Sequence, residues 1–275
     1  MKRKRLIVID SGTGGLHILK ECTRILPECE YIYIADTCNS PYGNKSRRKL
    51  QKITLPLFQY LENKYHPDGF VIACNTLTTC CIDTLRKVIK TPIIGTEPAL
   101  KQAKTHGGKT IFFATKTTIN NFAILNSKIE NMLHYRNIHF EKNQKILKIN
   151  IKNLATLLDY HNQNEKEIRS LIENEFSKKK YKQTKNIVIG CTHYIAVEQQ
   201  MKEIFGKEVR IFDGAKAVAK QVEYIIKNHS HPSLLEQNFS TIKSQDLHRT
   251  KITFLTSTAS TGRAKELEAY FNNIN

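Results

Sequence analysis

No apolar run in this 275-residue chain approaches the roughly 20 residues that span a bilayer. The basic start Met1-Lys-Arg-Lys-Arg5 is followed by only four apolar residues, Leu6 to Ile9, before Asp10, too few for a secretory segment. A cytoplasmic protein without membrane contact is the expectation. C-x-x-C pairs are also missing. The seven cysteines are odd in number and irregularly spaced, which excludes the disulfide framework of a small secreted domain. They read as free thiols, whose thiolate is the reactive form. No cysteine at finger-like spacing accompanies His229-Ser-His231, so no metal is expected. A dinucleotide fingerprint fails too, because His17 stands where the third glycine of G-x-G-x-x-G belongs.

What is present is an ordinary globular composition, 40% apolar and 25% charged, sufficient for one large core or two smaller ones. The net charge is +18, with basic runs at Lys178-Lys-Lys-Tyr-Lys182 and Arg47-Arg-Lys49. Lysine and arginine are spread through most of the chain, and no stacking-aromatic motif accompanies them, so no specific nucleic-acid partner is expected. A positive field also favours encounter with a small anionic substrate.

Short apolar runs alternate with longer amphipathic stretches, the pattern of an α/β fold with mainly parallel sheets. Strands are expected at Leu6–Asp10, Tyr31–Ala35, Gly69–Cys74, Pro92–Gly95, Thr110–Thr115, Asn186–Cys191, Val209–Phe212 and Lys251–Leu255. Helices are expected over Leu16–Leu26, Arg47–Lys64, Thr78–Lys90, Asn153–Tyr160, Glu165–Ser177 and Ala215–Asn228, and residues 229–250 read as a long surface connection. Val71-Ile-Ala-Cys-Asn-Thr76 echoes Val188-Ile-Gly-Cys-Thr-His193. Each is a buried strand ending in cysteine and two polar residues, and open α/β sheets place their sites at such carboxyl ends. Two similar α/β domains facing one another across a cleft are therefore expected, the first of residues 1–96 plus 211–275 and the second of residues 97–210.

Asp10-Ser-Gly-Thr-Gly-Gly15 is a glycine-containing turn that opens a helix, and a tight turn alone leaves Asp10 and Ser11 without a role. A lone buried cysteine is ordinarily a small core residue. Two at equivalent strand ends, Cys74 and Cys191, each followed by groups able to hydrogen-bond a carboxylate, point to paired chemistry. Cys22, Cys29, Cys38, Cys80 and Cys81 keep the structural reading.

These residues resemble the cofactor-independent glutamate racemases of the aspartate/glutamate racemase superfamily, over nearly the whole chain. The resemblance runs through Asp10-Ser-Gly12, Pro41-Tyr-Gly43, Cys74-Asn-Thr76, Glu97-Pro-Ala99, Ala114-Thr115 with Thr117 and Thr118 beyond, and Gly190-Cys-Thr-His-Tyr194. It departs at Thr37-Cys-Asn-Ser40, where the family usually carries an arginine, and at Ile195, usually proline. The family's glutamate corresponds to Asp159, an auxiliary acid.

The resemblance implies a two-base mechanism. Inverting an α-carbon requires a group on each face, one removing and one returning a proton. Cys74 and Cys191 would fill these places, assisted by Asp10 and His193. Asn75, Thr76 and Thr192 would meet the developing enediolate. Pro41, Tyr42 and Gly43 would close the pocket, while Ser11, Thr117 and Thr118 would hold the ammonium and α-carboxylate. Glutamate would be the substrate, D-glutamate for peptidoglycan the product, and a homodimer the assembly. No lysine stands out as a Schiff-base residue, so no organic cofactor is expected. The alternatives are a superfamily relative acting on aspartate or another small diacid, and a catalytically weak regulatory or nucleic-acid-binding protein on the same scaffold.

Overall fold

A computed structural model of the chain describes residues 3–159, 165–228, 250–257 and 261–273. His229, His231 and nearly all of the expected 229–250 connection lie outside the described residues. Two parallel sheets organise the rest. The first has the order β4-β3-β1-β2-β9, from β1 (Arg5–Asp10), β2 (Glu30–Ala35), β3 (Gly69–Ile72), β4 (Ile93–Gly95) and β9 (Lys251–Thr256). The second has the order β6-β5-β7-β8, from β5 (Thr110–Ala114), β6 (Ile146–Ile149), β7 (Asn186–Gly190) and β8 (Arg210–Phe212). The fold is thus of two parallel-sheet α/β units.

Burial on both faces explains why the strands read as continuous apolar runs. Along β1, Leu6 and Val8 enter the core beneath the helices Leu16–Ile25 and Ala215–Asn228, while Ile7 and Ile9 enter the core beneath Arg47–Tyr65 and Asn75–Val88. The second sheet repeats this arrangement, with Ile111 and Phe113 of β5 on one face and Phe112 and Ala114 on the other.

Topology sets the position of the site. The chain leaves β1 toward β2 on one side and leaves β3 toward β4 on the other, so a crevice opens between the carboxyl ends of β1 and β3. In the second sheet β5 leads to β6 and β7 to β8, which opens the matching crevice between β5 and β7. Asp10 and Cys74 flank the first crevice, and Thr115 and Cys191 the second. The whole strand Arg210–Phe212 pairs in the second sheet, and the chain then rejoins the first unit through the helix Ala215–Asn228. Here a Cβ on Gly214 would come within 2.9 Å of the Glu97 carbonyl oxygen, so the two crossover segments touch.

The strand β6 and the helices Leu100–His106, Lys116–Asn120, Phe122–Tyr135 and Glu198–Phe205 were not anticipated. The first cysteine helix starts at Asn75 rather than Thr78, with Cys74 in extended conformation at its N-cap.

Candidate active site

The two crevices face each other and enclose one cleft, lined by Ser11, Ser40, Pro41, Tyr42, Gly43, Cys74, Asn75, Thr76, Thr115, Ala155, Cys191, Thr192 and His193. Its space open to the centre of a water molecule is about 10 Å³, room for about one water. Both cysteines are buried, and each follows its strand into the first turn of a helix.

Cys74 stands beside the Asp10 carboxyl group. Burial holds its thiol well above the ordinary value of 9.0, and the Asp10 charge adds to the effect. Asp10 is itself 1% exposed. Its Oδ1 accepts the Ser11 N–H at 2.8 Å and its Oδ2 the Gly15 N–H at 2.7 Å, while the Thr192 hydroxyl lies 3.4 Å from Oδ2, across the cleft. Burial pushes its carboxyl up from 3.8 to about 6, against the lowering effect of the His193 charge and the Ser11 N–H.

Cys191 has a different partner. Its Sγ lies 4.0 Å from His193 Nδ1, and His193 Nε2 lies 3.2 Å from Asp159 Oδ1. Asp159 Oδ1 also accepts the Thr13 N–H at 2.8 Å and the Thr13 hydroxyl at 2.9 Å. Burial alone would raise the Asp159 carboxyl, but the His193 hydrogen bond and charge and the Thr13 donors bring it down to about 2. Burial likewise opposes a charged His193, yet the contacts with Asp159 and Cys191 hold its imidazole well above 6.5. The Asp159 contact thus favours the charged form of His193. Its Nε2 donates to Asp159 and cannot accept the Gly14 N–H that lies 3.4 Å away; the shorter, charge-assisted contact dominates.

The glycines of the Asp10–Gly15 turn serve close approach rather than anion binding. A Cβ on Gly12 would stand 2.3 Å from Asp159 Oδ1, and one on Gly14 2.6 Å from the His193 nitrogen. The turn is thus pressed against the Cys191 loop and the helix Leu154–Asp159 of the second unit.

Around the rim, the Tyr42 hydroxyl donates to Asp36 Oδ2 at 2.6 Å and Asn39 Nδ2 donates to Oδ1 at 3.0 Å, which fixes the Pro41–Gly43 loop. Asn39 occupies the stretch where an arginine was expected. Thr76, Thr115 and Thr118 form a triangle of hydroxyls, with Thr115 on the cleft wall and Thr118 buried behind it. Thr117 does not line the cleft; its hydroxyl donates to the Gly43 carbonyl oxygen at 2.8 Å and to that of Lys45 at 3.2 Å. Sequence reasoning missed Thr13, Ser40, Thr115 and Ala155 as contributors. Thr13, Ser40 and Thr115 each lie inside a quoted stretch of sequence.

Of the cysteines read as structural, Cys22, Cys29, Cys80 and Cys81 are buried, but Cys38 is exposed and its backbone N–H bonds the Ser257 hydroxyl at 2.9 Å. The expected core position for Cys38 fails because it sits in a surface turn after β2. Among the described residues, no cluster of three or more His, Cys, Asp or Glu side chains could hold a metal, and no helix is long and apolar enough to cross a membrane.

Comparison with known proteins identifies the class this architecture defines. The model of the Asp/Glu/Hydantoin racemase family matches residues 11–222, and the chain belongs to that family. It is 32% identical over 231 residues to a glutamate racemase of Clostridium botulinum, covering 83% of this chain and 85% of that protein. In fold it is similar to a glutamate racemase isoform from Bacillus anthracis (TM-score 0.75, 22% identity, covering 100% and 96% of the two chains). It is also similar to the Francisella tularensis glutamate racemase, solved in complex with D-glutamate (TM-score 0.73, 21% identity, covering 100% and 96%).

Proposed function

We propose that this protein interconverts L- and D-glutamate without an organic cofactor, by proton exchange at Cα between Cys74 and Cys191. One observation carries the reading: both thiols, each with its own ionisable partner, line a single cleft. Cys74 faces a carboxyl group and Cys191 an imidazolium. Burial beside Asp10 keeps Cys74 protonated. Removal of the L-enantiomer's Cα proton by Cys191 and delivery from Cys74 to the opposite face then gives D-glutamate. The reverse reaction uses the same groups with their protonation exchanged.

Asn75, Thr76 and Thr192 would supply hydrogen bonds to the carboxylate as negative charge builds on it. Ser11 and the Thr115–Thr118 pair would hold the polar ends, with Thr117 acting through the Gly43 loop. Because the cleft admits about one water, the two units, meeting near Glu97–Pro98 and Asp213–Gly214, would separate slightly to admit substrate. Supply of D-glutamate to peptidoglycan, action in the cytoplasm and assembly as a homodimer are supported by the family resemblance.

The test uses purified protein, both glutamate enantiomers and no added cofactor, followed by circular dichroism. Cys74→Ser and Cys191→Ser are each expected to abolish inversion, because a serine hydroxyl is far too weak an acid to exchange roles with a thiol. In deuterated water, residual Cα exchange should favour L-glutamate in Cys74→Ser and D-glutamate in Cys191→Ser. Near-wild-type inversion by either folded variant, or far faster turnover of aspartate, would overturn the reading.

A further inference from the structure

Beside the catalytic cleft lies a second one, open and far larger, with about 430 Å³ accessible to the centre of a water molecule. It shares Pro41, Gly43, Thr115 and Ala155 with the inner cleft, so the two are separated by one wall of side chains. Its outer lining includes Lys116 just after β5, Asn150, Lys152 and Asn153 just after β6, and Asn44 at the end of the Pro41–Gly43 loop. No aspartate or glutamate lines it. Both lysines are exposed, and among the described residues neither forms an ion pair, in contrast to Lys104, Lys178, Lys202 and Lys227, which all do. Two uncompensated ammonium groups and several amide side chains around an open concave surface form a receptor for carboxylates.

We propose that this outer cleft is a second binding site, selective for small dicarboxylates, which holds the incoming acidic amino acid at Lys116 and Lys152 before it passes the Gly43–Thr115 wall. The inference rests on the reading of the inner cleft as a glutamate site. It also gives the positive charge of the chain a local use: field lines end on a mouth that opens onto the reacting thiols. Held there, the substrate gains its carboxylate contacts before the inner cleft has to widen.

The experiment compares the wild-type protein with Lys116→Gln/Lys152→Gln and with Lys166→Gln/Lys207→Gln, which removes the same net charge at exposed positions outside the cleft. Racemisation is measured over a range of sodium chloride concentrations, and binding of glutarate by ligand-observed NMR. In the cleft variant KM should rise about fivefold, as expected for two exposed ion pairs, with kcat within twofold and a flatter salt dependence. Glutarate should bind correspondingly more weakly. The control variant should stay close to wild type. Unchanged KM and glutarate binding in the cleft variant, or an equal loss in the control, would overturn the proposal. Glutarate binding needs no turnover, so lysine-dependent binding by a protein that does not racemise glutamate would sustain the outer site while removing the functional reading.

Discussion

Replacing Asp159 by asparagine tests how the second thiol is armed. The carboxylate holds three donors on Oδ1, two from Thr13 and one from His193, and stands at about 2 instead of 3.8. At 1.36 kcal/mol for each unit of that displacement, its ionised form contributes about 2 kcal/mol to folding at neutral pH. Because the folded value is the lower one, this stability is complete above pH 4 and disappears as pH falls toward 2. The amide introduced by Asp159→Asn keeps an acceptor for Thr13 but loses the charge, so burial then dominates at His193 and its proton leaves at lower pH. The expected melting temperature at pH 7 is about 5 °C lower. Since Asp159 acts through His193, the diagnostic readout is the pH profile. The alkaline limb of kcat should move acidward, with kcat at pH 8 reduced about 100-fold, as for loss of a positioned acid–base partner. The two enantiomers have equal free energy, so kcat/KM must fall by the same factor in both directions. A variant whose melting temperature stays within about 1 °C of wild type, with an unmoved alkaline limb, would refute the coupling of Asp159 to His193.

Further substitutions at Gly12 and Asp10 probe the site, with Gly206 as a control. Gly12→Ala should lower kcat at least tenfold in a circular dichroism assay, because its Cβ would displace the Asp159 carboxylate, whereas Gly206→Ala, with nothing within 4 Å but a φ of +86°, should cost about 1–3 kcal/mol in denaturant titration and leave kcat unchanged. Asp10 is raised to about 6 in the fold, so its contribution to stability is present below pH 4 and lost as pH rises through 6; Asp10→Asn should therefore melt higher than wild type at pH 7.5, with a smaller difference at pH 4.5, while losing inversion.

How much of this was legible in the sequence depended on burial. Strands covered on both faces, such as Leu6–Ile9 and Ile187–Ile189, appear as apolar runs and were located to within a residue or two. Strand β6, Ile146–Ile149, lies at the edge of its sheet with Lys148 exposed, and so carried no such signal. The helix Phe122–Tyr135 exposes Ile124 and Tyr135, which blurs its period. At the site, the two cysteines were visible because one motif occurs twice. What was not legible is how Thr13 supports Asp159 behind His193: the two are 146 residues apart, and the close approach at Gly12 brings them together. The choice among threonines was set by a helix start. Thr115, extended at the N-cap, and Thr118, one turn on, face the same way, while Thr117 is rotated toward the Gly43 loop.

The duplicated topology and the unequal chemistry of its two halves belong together. Strand orders β4-β3-β1-β2 and β8-β7-β5-β6 place Cys74 and Cys191 at equivalent points, which gives opposed faces to a substrate between them. Their partners are not equivalent: a carboxyl raised to about 6 beside Cys74, and an imidazolium beside Cys191. On the proposed mechanism one thiol must take a proton while the other holds one, so the reaction starts only from a state in which the two differ in protonation. Asp10 links the halves, standing beside Cys74 on one side and 3.4 Å from the Thr192 hydroxyl on the other. On the proposed mechanism each turnover reverses the protonation of the two thiols, and the free protein must restore it before it takes the same enantiomer again.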